Sequence, residues 1–477
     1  MRRPFSARTI RLLILAPVLA SLLACQTLSR GFETLVAPTA LPTQTSLPTR
    51  SPTASSTATL ESTITWTPLP PTATLTPTAT ETQPPLPTGP TPTHLSATVQ
   101  FRIFEKLWQT VKDNYLYPDY NGLDWKAMHD EYDQRISSNL SNAEFYRAMD
   151  ELIFRLNDNH SIFLSPEEVK AEEAEFSGEL TFVGIGVISM PVPERKLSTI
   201  LAVFKGGPAD QAGLKWHDNL LSIDGQPILE PDGSINSALR GPEGSTATLE
   251  VQTPGEAPRQ VNIVRHSINS STPTPYTLLT SPKGKRIGYI LLVSFADDTV
   301  SDQVQAAIKT MRSSGPLDGL ILDDRENAGG LSTVLENMLS FFTYGTVGQF
   351  VSRSSKRPLK IDRLDVNGSQ YFPLVALVGP DTVSFGEIFA GILQDAKRAY
   401  LIGERTAGNV EILWQYNFED GSRLWLAHDA FHPKNHPDII WEKTGVTPDE
   451  TVAVQWDQVT VATDPAVNAA MAHIDTQ

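Results

Sequence analysis

Residues 375–409 read VALVGPDTVSFGEIFAGILQDAKRAYLIGERTAGN. The run Val375, Ala376, Leu377 and Val378 has the composition of a buried strand, and Gly379, Pro380 and Asp381 form a turn. Apolar residues then recur at helical spacing: Ile388, Phe389, Ile392 and Leu393. Ser384 therefore stands where a strand gives way to a helix. A serine there can present its hydroxyl at the end of a sheet, beside backbone N–H groups at the positive helix terminus. The plainer reading is that Thr382 and Ser384 cap the helix.

The start of the chain carries four arginines (Arg2, Arg3, Arg8, Arg11) before an apolar stretch over 12–24. That pattern is a secretory signal peptide, with an apolar part too short for a membrane-spanning helix. It ends in Leu22, Leu23, Ala24 and Cys25, which resembles a bacterial lipobox and implies cleavage before Cys25 and lipidation of its thiol. Cys25 is the single cysteine of the 477 residues, so no internal disulfide is available. Residues 26–95 are then rich in Thr, Pro and Ser, a composition that cannot bury a core and implies an extended linker. Roughly 380 residues remain, more than a single core usually organises, so several domains are expected. The formal net charge is -16 without a basic block, which argues against a nucleic-acid partner.

Residues 96–170 read as helical. Phe104, Leu107, Trp108 and Val111 share a face, and Ser141 with Glu144 has the capping-box pattern. Residues 171–270 change to short β-type runs between Gly, Pro and Asp turns. From residue 280 to 456 strand and helix patterns alternate, as in an α/β layer structure, and 457–477 is expected to be a tail. There is no P-loop or dinucleotide fingerprint. His428, His432 and His436 stand close together, but Pro433 and Pro437 interrupt any helix that would align them, and no zinc set is completed.

Within the second region, residues 206–215 (GGPADQAGLK) and 218–225 (DNLLSIDG) resemble a bacterial PDZ domain. The resemblance implies that Val183, Gly184, Ile185 and Gly186 form the loop that holds a peptide's terminal carboxylate, with the peptide adding as a strand. His217 replaces the glycine usual in the turn before Asp218, and histidine tolerates a left-handed backbone better than most residues.

Over residues 97–455 the chain resembles the C-terminal processing peptidases, or tail-specific proteases. Asp323, Arg325, Asn327, Gly329 and Gly330 match that family's Asp-Leu-Arg-x-Asn-x-Gly-Gly motif, with Asp324 in place of leucine. Residues 382–388 (TVSFGEI) lie where the family carries Ser-Ala-Ser-Ala-Ser-Glu-Ile, which gives Ser384 the role of nucleophile. Residues 445–449 (GVTPD) match as well. The resemblance implies a multidomain α/β protein: helical segment, PDZ-like β domain and layered, crotonase- or ClpP-like peptidase core. No cofactor or metal is implied. Backbone N–H groups of Gly329, Gly330 and Phe385 would form the oxyanion hole, and Asp323 and Arg325 would brace that loop.

One departure decides the chemistry. Where the family carries its lysine base the chain has Asn409, which cannot take a proton from serine. Lys397 and Lys443 are poor substitutes. The tricorn-type branch instead uses a histidine from the helical region and a glutamate near the end of the core, and the corresponding residues are His160 and Glu442. The expected protein is a lipid-anchored, extracytoplasmic serine endopeptidase that acts on proteins with accessible C-termini. The alternative is an inactive protein that binds peptides or apolar ligands.

Overall fold

The computed structural model describes residues 94–477 except Asn139, Asn159, 177–180 and Ser270. The expected signal peptide, Cys25 and residues 26–93 of the expected linker lie outside the described residues. No described helix is long and apolar enough to cross a membrane.

The N-terminal segment is helical, as its periodicity predicts. Helix α1 (Ala97–Asn114) buries Ile103, Phe104, Leu107 and Val111 along one face. It is followed by α2 (Trp125–Ile136) and α3 (Asn142–Phe154). The capping box of α3 is formed: Glu144 accepts from the Ser141 N–H at 2.9 Å, and Ser141 Oγ accepts from the Glu144 N–H at 3.4 Å. A short strand, β1 (Ile162–Leu164), and α4 (Pro166–Phe176) complete the segment.

The β domain holds β2 (Thr181–Gly184), β3 (Val187–Val192), β4 (Leu197–Val203), β5 (Asn219–Ile223), β6 (Gln226–Pro227), β7 (Thr246–Gln252), β8 (Arg259–Val264) and β9 (His266–Asn269). What reads in sequence as one run from 181 to 189 is broken by Ile185 and Gly186, where Gly186 takes a φ of 78°. The main sheet runs β3-β4-β5-β7-β8, leaving β3 at its edge, and β2 pairs with β9. A small core of its own fills this domain, with Ile200, Leu220, Ile223, Leu249 and Val251 at its centre.

The peptidase-like core contains two sheets. Its strands and helices, in chain order, are β10 (Tyr276–Thr280), β11 (Arg286–Leu291), α5 (Val300–Ser313), β12 (Gly319–Asp323), α6 (Ser332–Ser340), β13 (Gly345–Val351), β14 (Lys356–Ile361), β15 (Leu374–Val378), α7 (Phe385–Asp395), β16 (Tyr400–Gly403), β17 (Ile412–Asn417), β18 (Arg423–Pro433), β19 (Glu450–Thr451) and α8 (Pro465–Ile474). The first sheet, β10-β11-β12-β15-β16-β19, is parallel from β11 to β19. β12 and β15 are buried along their whole length, which explains their unbroken apolar runs. The second sheet, β1-β18-β13-β14 with β17 on β18, is antiparallel. Its outer strand β1 comes from the helical segment, so that segment is stitched into the core. Glu172 on α4 adds to this join by accepting from Trp425 Nε1 at 2.8 Å and pairing with Arg423.

The His428–His432 stretch is part of the long strand β18, in keeping with the absence of a helix there. One expectation changes. Residues 457–477 are not a tail: Asp464 caps α8, and Ala466, Val467, Ala470 and Ile474 are fully buried beneath the parallel sheet. Gly319 makes room for this helix, since a Cβ there would lie 2.7 Å from Ile474 Cγ2.

The segment before α8 also joins the β domain to the core. His217, at a φ of 67°, stacks on Trp456 with centroids 4.1 Å apart, and Asn219 Nδ2 donates to the Asp457 carbonyl at 2.7 Å. Arg195 pairs with Asp457 at 2.6 Å. The Arg325 guanidinium lies 4.8 Å from the same indole.

If α8 is integral, Ile474→Ala removes buried methyl groups from a packed interface and lowers stability by about 2–5 kcal/mol. Urea denaturation of the full chain measures this, and an unchanged midpoint would restore the tail reading.

Candidate active site

Ser384 stands in the turn between β15 and α7 with φ 55° and ψ -123°, a conformation that costs an L-residue energy and persists only where its surroundings impose it. The surroundings are visible. The Ser384 N–H donates to the Asn409 carbonyl at 2.8 Å, and the Val383 N–H to the Asn327 carbonyl at 2.9 Å. Thr382 Oγ1 donates to the Asp324 carbonyl at 2.8 Å while accepting from the Gly379 N–H. Ser384 occupies the N-cap position, yet its side chain makes no capping hydrogen bond. The capping reading therefore fails, and the sharp turn has the form of a nucleophile elbow.

The loop after β12 faces this turn. Arg325 is buried between Asp323, 2.9 Å from its Nε, and Asp464, 2.7 Å from its Nη2. Asp324 is fully buried, and burial pushes its carboxyl well above the ordinary range. Its Oδ1 accepts from Asn327 Nδ2 at 2.7 Å, and Asn327 Oδ1 in turn accepts from the Gly329 N–H at 2.9 Å. This corrects one expectation: the Gly329 N–H is already engaged and does not point to an oxyanion. Among the described residues the Gly330 N–H has no such partner, and Phe385, as the first residue of α7, has none within the helix. Gly329 has a different task. A Cβ there would lie 2.7 Å from Ser384 Cβ and 3.0 Å from the Phe385 nitrogen, so only glycine, at a φ of 79°, lets the two loops meet.

His160 comes from the loop between α3 and β1. Asp158 Oδ1 accepts from the backbone N–H groups of His160 at 3.0 Å and Ser161 at 2.8 Å, which shapes the loop. Ser161 Oγ accepts from the Ala427 N–H on β18 at 3.0 Å, and the β1–β18 register does the rest. The imidazole is buried against two carboxylates. Glu442 Oε2 lies 3.6 Å from His160 Nε2. Glu411, which sequence reasoning missed, lies closer, with Oε2 at 3.0 Å. That contact is off the N–H axis, so it is an ion pair rather than an aligned hydrogen bond. Burial alone would draw the imidazole down. Glu411 and then Glu442 outweigh it and hold the ring's pKa up at about 10. The ligand atoms of the three residues lie within 4.8 Å of one another.

Among the described residues no hydrogen bond joins the Ser384 hydroxyl to His160. The two are linked through one short stretch. The Asn409 carbonyl holds Ser384, the Val410 N–H donates to Glu442 Oε2 at 2.9 Å, and Glu411 meets His160. Glu387 on α7 pins the stretch by accepting from the N–H groups of Gly408 at 2.7 Å and Asn409 at 2.8 Å. Of the lysines, Lys397 lies beyond the C-terminal end of α7, away from Ser384. Lys443 Nζ sits 5.7 Å from the Tyr117 ring, whose hydroxyl donates to Glu411 Oε1. The three clustered histidines go to separate partners: His428 to Asp429, His432 to the Pro437 carbonyl and His436 to Asp395.

In the β domain, Gly184 is paired with His266 and bridged to Arg240, and the Ile185 N–H donates to the Leu239 carbonyl at 3.3 Å. A carboxylate at the 183–186 loop must therefore displace the Leu239 carbonyl to reach the Ile185 N–H. Among the described residues no strand pairs with the outer edge of β3, where an added strand would pair.

Layered core, helical segment and β domain together define a PDZ-bearing serine peptidase. Residues 286–452 match the model of peptidase family S41, residues 102–154 that of the tricorn protease C1 domain, and residues 199–253 that of a PDZ domain. The chain is 31% identical over 392 residues to a carboxyl-terminal-processing protease of Synechocystis sp., covering 80% of this chain and 88% of that one. It is 30% identical over 375 residues to the chloroplastic carboxyl-terminal-processing peptidase 2 of Arabidopsis thaliana, covering 76% and 70%. Among solved structures, a photosystem II D1 C-terminal processing protease shares the fold at a TM-score of 0.51 and 24% identity, over 74% of this chain and 93% of that one. The chain belongs to the C-terminal processing peptidase family.

Gly329→Ala should insert a methyl group between the two loops. The expected outcome is a loss of about 100-fold or more in the rate at which a fluorophosphonate labels Ser384, with the circular dichroism spectrum retained. Labelling at the wild-type rate would show that the loops need not meet this closely.

Proposed function

We propose that the protein is an extracytoplasmic serine endopeptidase, anchored by a lipid on Cys25, which engages protein C-termini through its PDZ domain and cleaves by acylating Ser384. The observation that carries this reading is the strained, uncapped Ser384 facing a glycine loop. In the proposed mechanism the His160 ring first gives up the proton that its carboxylates favour, and Ser384 Oγ then attacks the scissile carbonyl carbon as the neutral ring takes its proton. Nε2 faces the carboxylates, which leaves Nδ1 for the serine. The N–H groups of Gly330 and Phe385 receive the oxyanion. His160 then gives the proton to the leaving amine, and water, deprotonated by the same ring, hydrolyses the acyl-enzyme. Glu411 and Glu442 stabilise the imidazolium formed on the way. For attack, the Ser384 hydroxyl must swing or shift to meet the ring, and such bonds commonly tighten only with substrate bound.

A second reading is a binding protein with a silent core. The absent lysine at Asn409 and the unmade bond between Ser384 and His160 favour it. The two readings separate on variants assayed with an unfolded protein substrate. On the peptidase reading Ser384→Ala abolishes cleavage, and His160→Ala lowers kcat by about 10³-fold or more. Full activity in either variant sinks the mechanism, and wild type that neither cleaves nor reacts with a fluorophosphonate leaves the binding reading. The anchor is tested separately. Cys25→Ser should move the protein from the membrane pellet to the soluble extracytoplasmic fraction, and a protein that stays in the pellet would refute lipidation at Cys25.

A further inference from the structure

We infer that Glu411, anchored by Tyr117, is the principal positioning residue for His160, a role the family resemblance gives to Glu442 alone. The inference rests on the proposed Ser384–His160 mechanism.

Three observations separate the two carboxylates. Glu411 Oε2 is 3.0 Å from His160 Nε2 and Glu442 Oε2 is 3.6 Å away. Glu442 Oε2 already accepts from the Val410 N–H, whereas Glu411 Oε2 is buried with no hydrogen-bond partner and is directed at the ring. Glu411 is 4% exposed, and its other oxygen is held by the Tyr117 hydroxyl. A half-buried tyrosine with burial and then Glu411 raising its pKa stays protonated and keeps donating.

The placement in the chain adds a reason. Glu411 lies two residues beyond Asn409, on the stretch whose Asn409 carbonyl holds the Ser384 N–H. One short segment thus fixes the backbone of the nucleophile at one end and the ring of its base at the other. The other charged or titratable groups near the ring act at one remove. Asp158 binds the His160 backbone N–H, Tyr115 lies beside Asp158, and Lys443 lies over Tyr117. None of them meets the imidazole.

The sign of the effect follows. A carboxylate against the ring favours the imidazolium, so neutral His160, the form that can take a proton, is gained as pH rises. Removing the carboxylate moves that gain to lower pH. The test is the pH profile of kcat/KM and of fluorophosphonate labelling for the full chain. Glu411→Gln should move the acid limb down by about one pH unit or more, lower kcat and leave KM nearly unchanged. Glu442→Gln should move the limb less, and Glu411→Asp should restore most of it. Tyr117→Phe, which changes no charge at neutral pH, should move it in the same direction by less, and keeps the inference testable if Glu411→Gln does not fold. A Glu411→Gln limb that superimposes on wild type, or a larger shift in Glu442→Gln, overturns the inference. Retained activity in Ser384→Ala or His160→Ala instead overturns the mechanism beneath it.

Discussion

Three backbone pairs, Ile162 with Trp425, Phe163 with Leu424 and Leu164 with Arg423, decide where His160 stands. They add β1 to the antiparallel sheet and place the loop that carries His160. A slip of one residue would turn every side chain of β1 to the other face. The buried join between Glu172, Arg423 and Trp425 makes such a slip costly, because it would leave charged groups buried without partners. The parallel sheet presents Ser384, and the antiparallel sheet supplies the histidine. The candidate active site lies where the two sheets are tied together.

Charge at that junction is organised by burial. A lone imidazole in this position would be neutral, and two buried carboxylates reverse the preference. The loop after β12 follows the same logic at a distance. Arg325 is kept buried by Asp323 and Asp464, and the Asp324 to Asn327 to Gly329 chain of hydrogen bonds fixes which glycine N–H remains free. The aspartate at 324, where the family motif has leucine, thus has a consequence further along the same loop, since its side chain orients Asn327.

Much of this was legible in the residues. The change from a strand run to helical spacing located Ser384, and the capping box at Ser141 located α3. The start of α8 carries a local signal that the tail expectation passed over: Asp464 followed by Pro465 is a helix start, and the alanine-rich run after it supports a helix. Glu411 was not legible, because a carboxylate two residues past a turn carries no local signal, and its partner lies in a segment far back in the chain. The antiparallel sheet was obscured by proline. Pro358 in β14 and Pro433 in β18 fall within strands, where proline usually argues against one. Nor does sequence separate Gly329 from Gly330, since the difference lies in which N–H reaches Asn327.

The His217–Trp456 stack bears on how this architecture can be rearranged. PDZ domains are often treated as cassettes, exchanged between proteins at their linkers. Here the β domain shares an aromatic ring with the segment that leads into α8, and that ring also lies beside Arg325 of the loop after β12. A transplanted PDZ domain with glycine at position 217 would leave the indole uncovered. A transplanted core lacking Trp456 would leave a buried histidine without its stacking partner. The two parts must therefore be inherited as a pair, and recombination within this protein is confined to breakpoints that keep residues 217 and 456 together.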